Sequence, residues 1–131
     1  LKNCMKPERK LYQDFKKASP EIIYNRIENL SLIGMPDALC YNKNNIFFTV
    51  EFKVTRGKKI RFSPHQIAWH KTHPHNTYII VRTLGPRSEK HAEVRLYPGS
   101  RIAELAARGT ELGAWCLGLE PCACYLEQLG A

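Results

Sequence analysis

A buried β-strand is predicted by the run Ile46-Phe47-Phe48-Thr49-Val50-Glu51-Phe52-Lys53-Val54, which is almost entirely β-branched or aromatic. Two charged residues, Glu51 and Lys53, interrupt its apolar character. Alternate strand residues share a face, so these side chains project side by side with about 7 Å between their Cα atoms. Burial of ionised groups is costly unless they are paired or bind a metal ion. The strand therefore needs a partner for its charges.

The preceding pair Pro36-Asp37 offers a second carboxylate. Proline cannot donate to a β-ladder, so Pro36 marks the start of a strand from Asp37 to Tyr41. Residues 43–45 include two asparagines, which tolerate the left-handed conformation of a hairpin turn. If these residues form a three-residue loop, Asp37 faces Glu51, whereas a two- or four-residue loop puts the carboxylates on opposite faces. We expect the odd-length loop, or a bulge that restores this register.

Two carboxylates on one face, with a lysine one step along, form a hard-oxygen site suited to Mg²⁺ or Mn²⁺. Without a cation the carboxylates would repel, and one would tend to stay protonated. This arrangement suits metal-assisted phosphodiester hydrolysis, in which the metal ion polarises the phosphoryl oxygen and lowers the pKa of a bound water. Lys53 can orient that water or neutralise developing charge. The alternative is a buried Glu51–Lys53 ion pair, with Asp37 in an unrelated turn.

Three spaced motifs carry a family resemblance: Gly34-x-Pro36-Asp37, Glu51-x-Lys53 and Ser63-Pro64-x-Gln66-x-x-Trp69. They resemble the PD-(D/E)XK nuclease superfamily and, within it, the VRR-NUC branch, which includes small Holliday-junction resolvases. The resemblance covers residues 34–69 well and the flanks loosely. It implies an α/β fold with a restriction-endonuclease-like core, in which a mixed β-sheet has flanking helices in the order αβββαβ.

The resemblance also implies roles for individual residues. Asp37 and Glu51 would bind the metal ion, and Lys53 would be catalytic. Gln66 would complete the catalytic set from the following helix. The superfamily often adds a carboxylate from its first helix, and Glu8 is the best match for this third metal ligand. Three other N-terminal carboxylates stay open as alternatives: Asp14, Glu21 and Glu28.

The formal net charge of +8 suggests a polyanionic partner, which we expect to be DNA. Four basic residues surround Gly57: Arg56, Lys58, Lys59 and Arg61. Such a run can be a solvated surface, but its position next to Lys53 favours a loop that grips phosphate. His65 begins a cluster with His70, His73 and His75, and one or two of these are better suited to contact DNA phosphate than to bind a metal ion.

A helix to about Thr72 is predicted by a capping box, with Ser63 as N-cap, Pro64 at the first helical position and Gln66 at the third. Gln66 therefore has a structural role available beside an active-site contact, and both stay open. Trp69 on this helix is expected in the core rather than as a base-stacking platform.

The other elements follow from periodicity and capping signals. We expect a helix over 8–17, strands over 21–28 and 77–83, with the latter in mid-sheet, and an edge strand over 92–97. Ser100 should cap a helix over 101–108 that Gly109 ends. Five cysteines without a signal peptide favour free thiols in a reducing compartment over a zinc site at Cys116, Cys122 and Cys124.

At 131 residues, the chain is expected to form a single nuclease domain. Residues 110–131 would be a C-terminal helical extension that packs on the sheet or forms a dimer contact. No apolar run is long enough to span a membrane. We expect a cytoplasmic protein of a prokaryotic or phage-infected cell, or a nuclear one in a eukaryote.

The predicted function is an Mg²⁺- or Mn²⁺-dependent DNA endonuclease. If the resolvase resemblance holds, it acts as a homodimer on branched DNA of the Holliday-junction type, because paired incision needs two sites. Two alternatives stay open. One is a restriction- or repair-type nuclease that acts on linear or flapped duplex. The other is a catalytically inactive, basic DNA-binding module.

Overall fold

The protein is described here by a computed structural model that covers residues 6–27, 33–85 and 92–131. Its helices are α1 (Pro7–Ala18), α2 (Pro64–Thr72), α3 (Ile102–Arg108) and α4 (Leu119–Glu127). Its strands are β1 (Ile23–Arg26), β2 (Ala38–Tyr41), β3 (Phe47–Thr55), β4 (Thr77–Thr83), β5 (Glu93–Pro98) and β6 (Cys116–Leu117). Single 3₁₀ turns cover Gly99–Arg101 and Gly109–Glu111.

The strands form one mixed sheet whose spatial order follows the chain from β1 to β6. Strands β3 and β4 are parallel, and the other neighbouring pairs are antiparallel. A parallel pair needs a crossover connection, which α2 supplies. The α/β class, the mixed sheet with flanking helices and the order αβββαβ are therefore confirmed, and they are compatible with a restriction-endonuclease-like core.

The hairpin between β2 and β3 has the predicted register. Tyr41 lies opposite Phe47, and the Asn42 amide donates to the Ile46 carbonyl at 3.1 Å, so residues 43–45 form the loop. Asn45 adopts a left-handed φ of 64°. The side-chain amide nitrogen of the buried Asn42 also donates to the carbonyls of Leu126 and Leu129, at 2.9 and 3.0 Å. The turn is thereby tied to the C-terminal helix.

Two apolar clusters pack on opposite faces of the sheet, because alternate residues of each strand point to opposite sides. One cluster joins α1 and α4 to Phe48, Val50 and Ile80. The other joins Ile79 and Val81 to a set from the α2 and α3 side: Ile60, Ile67, Ile102 and Leu105. The β1 and β2 part of this second face keeps exposed apolar side chains: Ile23 and Leu39.

Residues 110–131 pack on the sheet, which was one of the two expected possibilities. In α4, Cys122, Ala123 and Leu126 are buried in the main core. None of the described helices has the length and apolar composition needed to cross a membrane.

Three sequence predictions differ from the structure. Ser100 does not cap α3, because it lies inside the 3₁₀ turn that precedes the helix. The strand after β4 is not a free edge, because β6 pairs with it through Leu96 opposite Cys116. The first strand is shorter than 21–28. It begins at Ile23 and ends at Arg26, and Glu28 lies outside the described residues.

We predict that Leu126→Ala lowers the free energy of unfolding by about 2–5 kcal/mol, because the side chain is fully buried between α4 and the sheet. Urea denaturation measures the change. Leu117→Ala is the matched control, because Leu117 is 53% exposed and its loss should be within about 0.5 kcal/mol. Equal effects for the two variants would contradict the packing of α4 on the core.

Candidate active site

A cleft opens beside β3 because its neighbour β2 is the shorter strand. The ladder between them begins with Ala38 opposite Val50, and β3 continues beyond it to Thr55. The cavity at this place has a volume of about 740 Å³. Its charged and polar lining comes from α1, β1, β3 and α2 and from the residues just before α1 and β2: Lys6, Glu8, Arg9, Tyr12, Arg26, Asp37, Glu51, Lys53 and Gln66. The predicted carboxylates and lysine therefore share one cleft.

Asp37 immediately precedes β2 and is held by the backbone of β3. Its amide donates to the Val50 carbonyl at 3.1 Å, and its Oδ2 accepts from the Phe52 amide at 2.8 Å. The paired register ends with Ala38 opposite Val50, and these two bonds hold Asp37 against β3 just beyond it, close enough for its charge to act on Glu51. Burial raises the pKa of Asp37, although the Phe52 amide and the positive charge of Arg26 oppose the shift.

Glu51 lies in the middle of β3 and is only 3% exposed. Its Oε2 accepts from Gln66 Nε2 at 3.0 Å, whereas its Oε1 is buried and has no hydrogen-bond partner in the described part of the chain. Burial, together with the neighbouring Asp37 carboxylate, raises the pKa of Glu51 to about 8. Such a carboxyl group is incompletely satisfied by the protein alone.

Gln66 performs both of the roles that the sequence left open. Its Oε1 accepts from the Ser63 amide at 3.0 Å, and the Ser63 hydroxyl accepts from the Gln66 amide, which completes the capping box of α2. The same Oε1 accepts from Lys53 Nζ at 3.0 Å, while Nε2 donates to Glu51. The start of α2 is thus fastened directly to the two charged side chains of β3.

Lys53 and Glu51 do not form the direct ion pair that the sequence offered as the alternative to a metal site. Each binds Gln66 instead, and Lys53 Nζ also lies 5.1 Å from the centre of the Phe62 ring. The lysine ammonium group has three donors, so the bond to Gln66 leaves donors for a further ligand.

The loop before β2 is fixed against α2 by Gly34. Its φ of 86° lies in the left-handed region, and a Cβ at this position would come within 2.5 Å of the His65 carbonyl oxygen. Glycine is therefore required for this close approach, which brings the Pro36-Asp37 pair beside the start of the helix.

Glu8 on α1 lines the cleft, and its negative charge helps to raise the pKa of both Asp37 and Glu51. Asp14 is instead paired with Arg82 at 2.9 Å, and Glu21 is paired with Lys43 at 3.4 Å. Among the described residues, no three His, Cys, Asp or Glu side chains are grouped closely enough to hold a metal ion together. Glu8 is thus the best placed of these three N-terminal carboxylates, and its role as a ligand stays a prediction.

The basic residues after β3 divide into two groups. Arg56, Lys59 and Arg61 line a second cavity of about 330 Å³ that also includes Lys53. Lys58 instead forms an exposed ion pair with Glu111 at 3.4 Å. The backbone carbonyl of Lys58 also accepts from the Thr110 amide, next to Glu111. His65 is exposed in the first turn of α2. A cationic surface therefore continues from Lys53 along one side of the cleft.

Sequence reasoning missed a second group of cations at the cleft: Lys6, Arg9 and Arg26. Arg26 ends β1, and its guanidinium carbon lies 4.7 Å from the centre of the Tyr12 ring on α1. The pairing of β1 with β2 brings Arg26 opposite Ala38, next to Asp37. The spacing of Arg9 and Tyr12 places them on one face of α1, but only the pairing of β1 shows which face meets the carboxylates.

The cysteines and histidines take other places. Cys40, Cys116, Cys122 and Cys124 are free thiols, and Cys4 lies outside the described residues. His70 is buried, and its Nδ1 is 3.0 Å from the Gln66 carbonyl oxygen. Trp69, expected in the core, is only half-buried and stacks on His73 with ring centres 4.0 Å apart. That expectation was wrong.

No protein-family model, curated protein or solved structure matches the chain significantly. The resemblance to PD-(D/E)XK nucleases therefore rests on the residues and motifs of this chain.

We predict that, without divalent cations, the free energy of unfolding falls as the pH rises from about 5 to 8. The folded-state pKa of Glu51, about 8, lies above the unfolded value of 4.5, so the folded protein binds more protons in this range and loses that advantage as the pH rises. The slope from one group is at most about 1.4 kcal/mol per pH unit.

Urea denaturation at several pH values measures this slope. Glu51→Gln should flatten it, whereas the exposed Glu120 changed to glutamine should leave it as in the unmodified protein. An unchanged slope in Glu51→Gln would show that the carboxyl group of Glu51 titrates normally.

Proposed function

We propose that the protein is a metal-dependent DNA endonuclease of the PD-(D/E)XK type. The observation that carries this proposal is the buried Glu51 Oε1, which has no protein partner among the described residues and shares a cation-lined cleft with Asp37, Lys53 and Gln66. Carboxylate oxygens are ligands that Mg²⁺ and Mn²⁺ prefer. An orphaned carboxylate oxygen beside a second carboxylate fits such an ion.

Two oxygens are available as the protein ligands. The Phe52 amide occupies Oδ2 of Asp37 and Gln66 occupies Oε2 of Glu51, so Oδ1 of Asp37 and Oε1 of Glu51 would hold the ion. Glu8 would contribute from α1, either directly or through a water. When bound, the divalent ion supplies Lewis-acid polarisation of a phosphoryl oxygen and a water of lowered pKa.

The residues around these ligands bind and orient the phosphodiester. Lys53, which is held by Gln66, points a charged donor into the cleft, where it can orient the attacking water or neutralise charge that develops on the phosphoryl group. Arg56, Lys59 and Arg61 follow on one side and would grip neighbouring phosphates. His65 would contact the backbone from the first turn of α2.

Branched DNA and a homodimer are the finer parts of this proposal. Each chain contributes one cleft, so a symmetric cut in two strands needs two chains related by a two-fold axis. The exposed apolar side chain of Ile23 on the edge strand β1 provides a surface for such a contact. A restriction- or repair-type nuclease would use the same cleft on linear or flapped duplex.

We predict that Asp37→Asn and Glu51→Gln each abolish Mn²⁺-dependent nicking of supercoiled plasmid and weaken Mn²⁺ binding measured by titration calorimetry. DNA affinity, measured without divalent ions, should be retained or increased, because each change removes negative charge from the cleft. Lys53→Ala should slow nicking while Mn²⁺ binding is retained.

The exposed Glu120 changed to glutamine serves as the control for a lost carboxylate and should behave like the unmodified protein. Nicking by purified Asp37→Asn at the unmodified rate would contradict the proposal. Absence of both nicking and Mn²⁺ binding in the unmodified protein would favour a DNA-binding module without catalysis.

We predict that Lys59→Glu weakens DNA binding regardless of sequence and lowers the slope of log affinity against log salt by about 1, because Lys59 lies beside the cleft. Lys58→Glu is a matched control with the same change in net charge. It should have a smaller effect, since Lys58 is paired with Glu111. Fluorescence anisotropy at several salt concentrations measures both, and equal effects would mean that only net charge matters.

A further inference from the structure

An open groove lies between α2 and the part of the sheet that the helix leaves uncovered. It has a volume of about 390 Å³, within the range of pockets that hold small-molecule ligands. Its lining is mainly aromatic and apolar, with polar groups among it. The lining includes Leu39, Phe47, Thr49, Trp69, His73 and His75. Neither the fold nor the proposed catalytic step accounts for these exposed rings.

The aromatic walls of the groove are arranged for stacking. The Trp69 and His73 rings are parallel within 8°, with their centres 4.0 Å apart. Across the groove, Phe47 is 58% exposed and packs on Tyr41 with ring centres 4.4 Å apart. Trp69 belongs to neither apolar cluster of the core. Flat rings held at an open surface can accept another flat, π-bearing group.

The groove lies next to the candidate active site along three elements, although the two cavities share no lining residue. Leu39 is two residues from Asp37, and Thr49 is two residues from Glu51, so each pair shares one side of its strand. Gln66 and Trp69 are one turn apart on the same face of α2. Two strand residues span about 7 Å. This distance is about twice the 3.4 Å rise per nucleotide of duplex DNA, so a base next to the scissile phosphate lies within reach of the groove.

We propose that the groove binds an unpaired nucleobase of the strand whose phosphate lies at Asp37 and Glu51. This inference rests on the proposed nuclease function and narrows its substrate to DNA with an unpaired nucleotide beside the scissile bond. A paired base is covered on both faces by its neighbours in the duplex and cannot enter between rings. Stacking on aromatic side chains tolerates any base, so the groove recognises single-stranded character rather than sequence.

Charge and composition favour a nucleobase over a second copy of the chain as the occupant. The neighbouring cleft is lined by Lys53 and Arg26, whose positive charge suits the backbone of a polyanion. His73, His75 and Asn76 also line the groove. His73 Nδ1 is engaged by the Trp69 carbonyl oxygen at 2.7 Å, so Nε2 of His73, together with the side chains of His75 and Asn76, is left to donate to base edges.

The fluorescence of Trp69 tests the inference directly. The chain contains two tryptophans, and Trp115 lies beside β6, at the other end of the sheet. In a Trp115→Phe protein without divalent ions, a short oligothymidylate should quench Trp69. An oligomer of abasic residues with the same backbone should not. Quenching that is equal for the two oligomers would overturn the proposal.

Affinity measurements with variants give a second readout. Removal of a stacking ring costs about 1–3 kcal/mol per base. At 1.4 kcal/mol per tenfold change, Trp69→Ala should weaken oligothymidylate binding by about 5- to 150-fold. Affinity for a blunt-ended linear duplex, in which every base is paired, should stay unchanged. Trp69→Phe should retain most of the affinity, and Trp115→Ala, which removes an exposed tryptophan far from the groove, should have no effect.

Phe47→Ala keeps the test decisive if Trp69→Ala does not fold, because Phe47 is largely exposed. It should show the same selective loss. Equal weakening of both DNA forms, or no weakening, would overturn the proposal. So would sedimentation of a DNA-free dimer that Phe47→Ala dissociates, because the groove would then be a subunit contact.

Failure of the nuclease function gives a different pattern. Selective binding of oligothymidylate without any Mn²⁺-dependent nicking would leave the groove in place and remove the catalytic proposal. Nicking that is unaffected by Trp69→Ala or Phe47→Ala on flapped and linear DNA alike would remove the groove and leave the nuclease.

Discussion

The burial of the Glu51 carboxylate is the constraint on which the arrangement of the site depends. A charge in the middle of a buried strand is costly unless its oxygens are satisfied. The protein satisfies one oxygen through Gln66 and, among the described residues, leaves the other without a partner. Asp37 adds a second carboxylate at the same place, which raises the cost further. Burial and, after it, the charge of Asp37 raise the pKa of Glu51 to about 8. A fold that keeps two such groups together carries an unfavourable electrostatic energy, which a divalent cation would remove.

Three local features of the secondary structure hold the two carboxylates together. The three-residue hairpin loop sets the register up to Ala38 opposite Val50, which brings Asp37 close to Glu51, and Asn42 fastens that hairpin to the C-terminal helix. The capping box of α2 uses the same glutamine that binds Glu51 and Lys53. The end of β2 leaves one side of β3 free, which opens the cleft where the fold places the charges. Helix start, strand end and loop length are thus local features that meet at one site.

The parts of this arrangement that depend on local spacing could be predicted from the sequence. Loop length predicted the β2–β3 register, which is confirmed from Tyr41 opposite Phe47 to Ala38 opposite Val50, and the Ser63 to Gln66 spacing predicted the start of α2. Features that depend on contacts between distant segments could not be predicted. The pairing of Lys58 with Glu111 and the approach of Arg26 to the cleft both need the assembled sheet. The two-residue strand β6 is too short to show a periodic pattern in the sequence, so the neighbouring strand β5 was predicted to be an edge strand. Trp69 read as a core residue because one aromatic residue on a helix does not indicate which face is covered.

Anomalous scattering from a crystal grown with Mn²⁺ tests the metal-site proposal most directly. The proposal predicts a manganese peak at ligand distance from Oδ1 of Asp37 and Oε1 of Glu51, with Lys53 nearby and still bound to Gln66. An absent peak, with both carboxylates bound only to protein groups, would contradict it. So would a peak confined to other residues, such as the histidines at the end of α2.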